Sequence, residues 1–259
     1  MKIRVVFVGY NRPEFFRQTM ESWAPVLTNS PYDPVLFLEP SPRQTEMADI
    51  FAPFGQVRVN DHVLGINVNN WHAISCVLDE DPTVDAVVLA EDDVVVSDDV
   101  MAYFEWALNT YRADAEIMTV GAFESLARLD GLPDNAVVRH AWFWPWVWGT
   151  WRNRWDRFLR GQWSFDPEVQ GWDDQVWRVM DSNGRKSIIP IGSRADHIGT
   201  TGVHMLPGLM EGTRGRDFVA RRSVRHLVFE ELPAAAAFWP VLGAGGELYD
   251  GAGLGAVGC

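Results

Sequence analysis

The 259-residue chain has only two cysteines, Cys76 and Cys259, and only two lysines beside twenty arginines. Two thiols exclude the disulfide framework that staples small secreted domains. No apolar run reaches the ~18 residues that a membrane span requires. The opening MKIRVVFVGYNRPE enters a strand pattern directly, without the cleavage region of a leader peptide. The expectation is therefore a soluble, cytoplasmic chain with no membrane partner. No internal repeat is present, which excludes solenoids and propellers. What is there is globular: 47% apolar and 22% charged residues, enough for a sizeable core in one large α/β domain or two small ones.

Charge is unevenly placed. The net charge is −13, but residues 1–138 carry −14, residues 139–225 carry +5 and residues 226–259 carry −4. The acidic balance argues against a protein that coats nucleic acid, while the basic segment leaves room for a polyanion on one face. Any single arginine there reads more simply as part of a solvated helix face.

Hydrophobic patterning sets the order of elements. Ile3–Gly9 is a continuous apolar run, as in a strand buried on both faces of a parallel sheet. Pro13 suits the first position of the next helix and Glu14 its positive end. Further strands are expected at 34–39, 56–59, 84–90, 117–121 and 187–191, and helices at 43–51, 67–78 and 97–108, the last capped by Ser97. Strands alternating with helices imply a doubly wound α/β sheet. The glycine- and alanine-rich 243–259 is expected to be loosely ordered.

Three constellations carry chemistry. Glu91-Asp92-Asp93 follows an apolar strand, at the end where such sheets bind ligands. Adjacent carboxylates repel one another, and a divalent cation resolves the repulsion, so a metal–diphosphate ligand is expected; the bland alternative is a solvated acidic loop. Gly171-Trp172-Asp173-Asp174 places carboxylates at a helix start, where ordinary capping competes with function. Asp196-His197-Ile198-Gly199-Thr200-Thr201-Gly202-Val203-His204 follows a late strand and reads as a loop able to close over phosphates, with His197 or His204 facing the metal or the diphosphate. The run Trp142–Trp151 is exceptionally aromatic; it suits stacking on sugars or bases, although core packing explains most of its indoles more simply.

In order and spacing these motifs resemble glycosyltransferases of the GT-A fold, and among them the N-acetylglucosaminyltransferase I family, which includes the protein O-mannose N-acetylglucosaminyltransferase. The resemblance rests on Glu91-Asp92-Asp93, Trp172-Asp173-Asp174 and Gly199-Thr200-Thr201-Gly202-Val203 and spans about residues 1–210. It implies a single GT-A domain over 1–232, with a nucleotide-sugar half (1–122) and an acceptor half (123–232), followed by a tail (233–259). It places Mn²⁺ (or Mg²⁺) on Asp93 with His197, nucleotide-sugar contacts on Glu91 and Asp92, and the catalytic base on Asp173, with Asp174 beside it. Arg12 and Glu39 match the family's residues around uracil, although Glu39 stands for an Asp. Leu64–Trp71 matches its helix start near the uridine. Gly199, Thr200 and Gly202 match the closing loop, and His204 replaces its Ser.

The implied reaction is transfer from a UDP-sugar with inversion, since one base is available and no second nucleophile is evident. The family's membrane anchor and cysteine pattern are missing, so its secreted-glycan acceptor is not carried over. Two acceptors fit the arginines and tryptophans. One is a hydroxymethylated base in phage DNA, held through Arg152, Arg154, Arg157, Arg160, Arg221 and Arg222. The other is a glycan or small molecule. Rival classes are a nucleotidylyltransferase, which would want a Gly-rich basic loop where Gly9–Pro13 stands, and a carbohydrate-binding domain without catalysis, which would have no use for the carboxylates.

Overall fold

The computed structural model describes residues 1–124, 132–166, 171–200, 218–221 and 228–232, and the backbone of 240–242 and 248–250. The elements that matter for the site are, in chain order, β1 (Ile3–Gly9), α1 (Pro13–Leu27), β2 (Val35–Leu38), α2 (Gln44–Phe51), β3 (Gln56–Val59), α3 (Ile66–Glu80), β4 (Ala86–Glu91), β5 (Val94–Val96), α4 (Val100–Thr110), β6 (Ile117–Gly121), β7 (Ala136–His140), β8 (Trp148–Trp151), α5 (Arg152–Arg154), α6 (Trp172–Ser182), β9 (Lys186–Pro190), β10 (Ala195–His197) and β11 (Glu230–Glu231).

Nine strands form one mixed sheet in the order β11-β7-β9-β6-β8-β4-β1-β2-β3, and β5 pairs separately with β10. Strands β3, β2, β1 and β4 are parallel, β8 is antiparallel to both β4 and β6, and β6 and β9 again run with β4. The expected doubly wound α/β sheet is present as a single domain. Every residue of β1 is buried, because helices cover both faces. On one face Phe16, Met20 and Trp23 of α1 pack with Phe51 of α2 and Phe104 of α4; on the other Ile74 and Val77 of α3 pack with Val176 of α6. Burying each such large side chain contributes about 1.5–3 kcal/mol.

The helix at 97–108 begins later than expected. Asp99, not Ser97, precedes its first turn, and the Ser97 hydroxyl donates instead to Asp99 at 2.6 Å. The intervening Val94–Val96 forms β5, whose partner β10 lies a hundred residues away. Strands β7 and β8 also go beyond the sequence reading. After α5 the helix opens into one π turn, Trp155–Leu159, which buries Trp155 and Leu159 beneath the sheet. No helix among the described residues is long and apolar enough to cross a membrane.

Two features position the site. The chain leaves β1 toward β2 on one side and returns as β4 on the other, so the strand order reverses at the carboxyl ends of β1 and β4, the point where sheets of this kind take ligands. The β5–β10 ribbon then pairs His197 with Val94, which sets the late loop against the acidic triplet.

Candidate functional site

Asp92 and Asp93 follow the last residue of β4 and are almost fully buried, at 3% and 2% exposure. Their neutralising partner in this structure is Arg12, from the turn after β1. One guanidinium nitrogen lies against Asp92 Oδ1 and the other 2.6 Å from Asp93 Oδ2. The cation expected from the sequence is thus joined by an arginine eighty residues away, brought to the pair because β1 and β4 are neighbours in the sheet. The Tyr10 N–H donates to Asp92 Oδ2 at 3.2 Å, and the buried Thr19 hydroxyl donates to the Asp92 carbonyl at 3.1 Å.

These partners divide the three carboxylates electrostatically. Burial raises Asp92, against the opposing pull of Arg12 and the Tyr10 N–H. Burial also acts on Asp93, but His197 and Arg12 outweigh it and hold that carboxyl below its ordinary value. Glu91 is pushed well up by desolvation and then by the negative charges of Asp93, Asp92 and Asp173, while Arg12 opposes. Asp173 thus acts on the triplet from α6, so the fold brings two of the three motifs within electrostatic reach.

The third motif meets the first directly. His197 Nε2 lies 3.1 Å from Asp93 Oδ2, and the Ile198 N–H donates to the Asp93 carbonyl at 2.9 Å. Trp146 stacks on the His197 ring, with centroids 5.1 Å apart and planes at 27°. Two buried atoms here have no hydrogen-bond partner among the described residues, Asp93 Oδ1 and His197 Nδ1, although such atoms normally have one. Gly199 is required for close approach. A Cβ there would collide with Asp93 Oδ2 and lie 2.8 Å from His197 Nε2. Thr200 is exposed at the edge of the described loop; Thr201, Gly202, Val203 and His204 lie outside the described residues.

Glu39 sits at the end of β2, 4% exposed. Its Oε2 accepts the Leu64 N–H at 2.7 Å, and its Oε1 has no partner among the described residues. Burial raises its pKa, opposed by the Leu64 and Gly65 N–H groups. The start of α3 is tied to α6: Asn67 Oδ1 accepts from Trp163 Nε1 at 2.7 Å and from Gln175 Nε2 at 3.3 Å. That network fixes the helix that carries Asp173.

Capping does not account for the second motif. Gly171 precedes α6 with φ +43° and no side-chain cap bond forms; a Cβ at Gly171 would strike Asp173 Oδ1. Asp174 pairs with Arg178 one turn on, at 2.6 Å. Both carboxylates line a cavity of about 160 Å³ whose other walls include Trp142, Trp144, Trp146 and Trp177. The aromatic run is divided by Val147, a buried β-branched residue at φ +58°, a strained conformation of the kind found at functional sites. Before it, Trp142, Trp144 and Trp146 remain partly exposed; after it, Trp148 and Trp151 enter the core. Thr19 and Trp146 were missed in the sequence, since a threonine inside a helix and one indole among several carry no local signal of contact with Asp92 or His197.

The arginines of 152–160 differ in exposure and partners. Arg154 is 7% exposed and donates to the Arg112 and Asp114 carbonyls at 2.9 and 3.0 Å. Arg152 donates to the Val84 and Asp81 carbonyls at 2.8 and 2.7 Å, and Arg160 pairs with Asp79. Arg157 is exposed, above the Phe158 ring. A lone helix suggested a solvated arginine stripe, but the helix is packed on one side by loops whose carbonyls need donors. Arg221 is exposed, and Arg222 lies outside the described residues.

No family model matches the chain, and no curated protein matches it. Solved structures do. The S. aureus TarS 1–349 fragment in complex with UDP-GlcNAc superposes with a TM-score of 0.55 at 11% identity, over 79% of this chain and 60% of the fragment. S. aureus TarS gives 0.50 at 10% identity, over 73% of this chain and 35% of that one. The chain thus spans three fifths or less of these neighbours. Glucosyl-3-phosphoglycerate synthase from Mycobacterium tuberculosis, solved with Mn²⁺, UDP and phosphoglyceric acid, gives 0.49 at 14% identity, over 77% of this chain and 72% of that one. The likeness to TarS shows a shared GT-A-like fold; the N-acetylglucosaminyltransferase I resemblance is finer than it reaches.

Proposed function

We propose that the chain is a glycosyltransferase that moves a sugar from a UDP-sugar to an acceptor hydroxyl, with inversion at the anomeric carbon. The observation that carries this reading is the Asp93–His197 pair at the carboxyl end of β4, with Asp93 Oδ1 buried and without a partner among the described residues. The shared fold of the TarS fragment, itself solved with UDP-GlcNAc, supports the donor class.

The residues fit a divalent cation of the Mn²⁺ or Mg²⁺ type. Among the described residues no group of three or more His, Cys, Asp or Glu side chains is placed to hold a metal alone. Asp93 and His197 offer two donors, and such ions commonly complete their shell with phosphate oxygens and water. Asp93 and His197 would hold the ion, which would supply positive charge to the departing diphosphate.

The chain's own residues do the rest. Arg12 keeps the paired carboxylates neutralised beside the diphosphate. Glu39 accepts the uracil ring N–H through Oε1, in keeping with the lack of any partner for that atom among the described residues, and the Gly199–Thr200 backbone follows the phosphates. Asp173 takes the acceptor proton as the acceptor oxygen bonds to the anomeric carbon. The bond to the UDP oxygen breaks on the opposite side, and its electron pair leaves with UDP. Asp173 suits this role better than Asp174, whose carboxylate is engaged by Arg178. One base and one in-line displacement give inversion.

Calorimetry of UDP with and without Mn²⁺ tests the reading. The parent protein should bind UDP more tightly with Mn²⁺, and Asp93→Asn should lose that enhancement. Asp173→Asn should retain binding and lose about 10²–10⁴-fold in transfer. A parent protein indifferent to UDP and Mn²⁺ refutes the proposal.

A further inference from the structure

Four indoles wall the cavity beside Asp173: Trp144, Trp146 and Trp177 each pack one side against the core, and Trp142 lies outside it. Trp142 is 39% exposed, Trp177 of α6 is half-buried, and their ring centroids lie 4.9 Å apart with planes at 39°, so the two indoles are in contact and present one joined aromatic surface to the cavity. Large aromatic faces left open around a concavity mark a ligand surface. The pair is anchored: the Trp142 backbone N–H donates to His140 Nδ1 at 2.9 Å, and Trp177 is carried on α6. From Trp142 the aromatic surface continues through Trp144, 6.4 Å away, to Trp146, which stacks on Trp144 at 6.1 Å and on His197 at 5.1 Å. One strip of rings therefore joins the cavity to the Asp93–His197 pair.

We propose that the cavity walled by Trp142 and Trp177 is the acceptor subsite, and that the acceptor it takes is an uncharged sugar ring. The inference deepens the glycosyltransferase reading and rests on it. Charge decides the class. Among the described residues the cavity is lined by the Asp173 and Asp174 carboxylates and by no lysine or arginine, and Arg178 is engaged by Asp174. A phosphate chain entering here meets charge of its own sign, and Arg152, Arg154 and Arg160 are held by the protein's own carbonyls and carboxylates. A sugar ring instead presents an apolar C–H face to an indole and hydroxyl donors to carboxylates, which are acceptors only. Stacked on the aromatic wall of the cavity, it brings a hydroxyl to Asp173, which lines the same cavity and is the group assigned to take its proton.

Saturation-transfer-difference NMR on the full chain tests this, with the methyl β-glycosides of glucose, galactose, mannose and N-acetylglucosamine as probes. Saturation should pass from the protein to the ring C–H protons of at least one glycoside. The affinity should fall about tenfold in Trp142→Ala and in Trp177→Ala, should largely survive in Trp142→Phe, which keeps an aromatic face, and should not vary with salt. Trp142 is exposed, whereas Trp177 is half-buried against the core, so Trp142→Ala carries the test and Trp177→Ala is read only with a folded state verified by its melting temperature. Transfer to none of the four probes overturns the proposal, as does equal transfer in the alanine variants. Salt-dependent binding of a hydroxymethylcytosine oligonucleotide that disappears in Trp142→Ala also overturns it and assigns the groove to nucleic acid. UDP binding by the parent protein is measured separately: its absence defeats the donor reading, while the glycoside signals still decide what the groove holds.

Discussion

Replacing Gly199 with alanine isolates the contact on which the site depends. The added methyl would collide with Asp93 Oδ2 and lie 2.8 Å from His197 Nε2 and 3.0 Å from Asp93 Cγ. The backbone at 199 is not in the left-handed region, so the cost comes from crowding alone. The carboxylate has little freedom to yield, since Arg12 holds it at 2.6 Å, His197 at 3.1 Å and the Ile198 N–H holds its carbonyl. Overpacking of this kind costs about 1–3 kcal/mol. For a domain of this size each kcal/mol lowers the melting temperature by about 2–4 °C, so the expected fall is about 2–12 °C. Separating Asp93 from His197 should also weaken Mn²⁺-dependent UDP binding. Gly161→Ala is the control, since nothing lies within 4 Å of a Cβ there; it should be neutral or gain about 0.4–1 kcal/mol. Differential scanning fluorimetry and calorimetry read both effects. A Gly199→Ala protein that melts within about 1 °C of the parent and binds UDP and Mn²⁺ equally well would refute the reasoning.

Two further outcomes follow from buried charge. Arg154→Ala removes donors from the Arg112, Asp114 and Ile117 carbonyls and should cost about 3 kcal/mol, whereas exposed Arg157→Ala should stay within about 0.5 kcal/mol; equal denaturant midpoints would contradict the assignment. Burial raises the Glu39 pKa, so the fold favours its protonated form. That stabilisation is complete below the unfolded carboxylate value and is lost as pH rises through the higher folded value. Glu39→Gln is exempt from this loss, so its stability relative to the parent should rise from about pH 4.3 upward and level off above the folded value; a constant difference from pH 4 to 8 by thermal unfolding would exclude the effect.

Several features were legible without coordinates. The apolar runs at 3–9 and 84–90, Pro13 at a helix start, and carboxylates directly after an inner strand all follow from local rules of periodicity and capping, and each lies within two residues of its expected place. Strands β7, β8 and β10 were not legible. β8 reads as an aromatic cluster because its residues face two different cores, with Trp148 in one and Trp151 in the other. β10 is three residues long and exists only through its pairing with β5.

The sequence by itself determined the class of sheet and the strand end at which the acidic triplet stands, because hydrophobic period and strand-end position are properties of neighbours in the chain. Tertiary structure alone decided that Arg12 meets the acidic pair, that His197 meets Asp93, which arginines are buried, and which tryptophans stay partly exposed. Arg12 and Asp92 are 80 residues apart, and Asp93 and His197 are 104 apart. Arg154 is buried by carbonyls about 40 residues upstream. The indoles are divided by one backbone angle at Val147. Such outcomes depend on which elements become neighbours across the sheet and which side of it they face, and no local pattern encodes either.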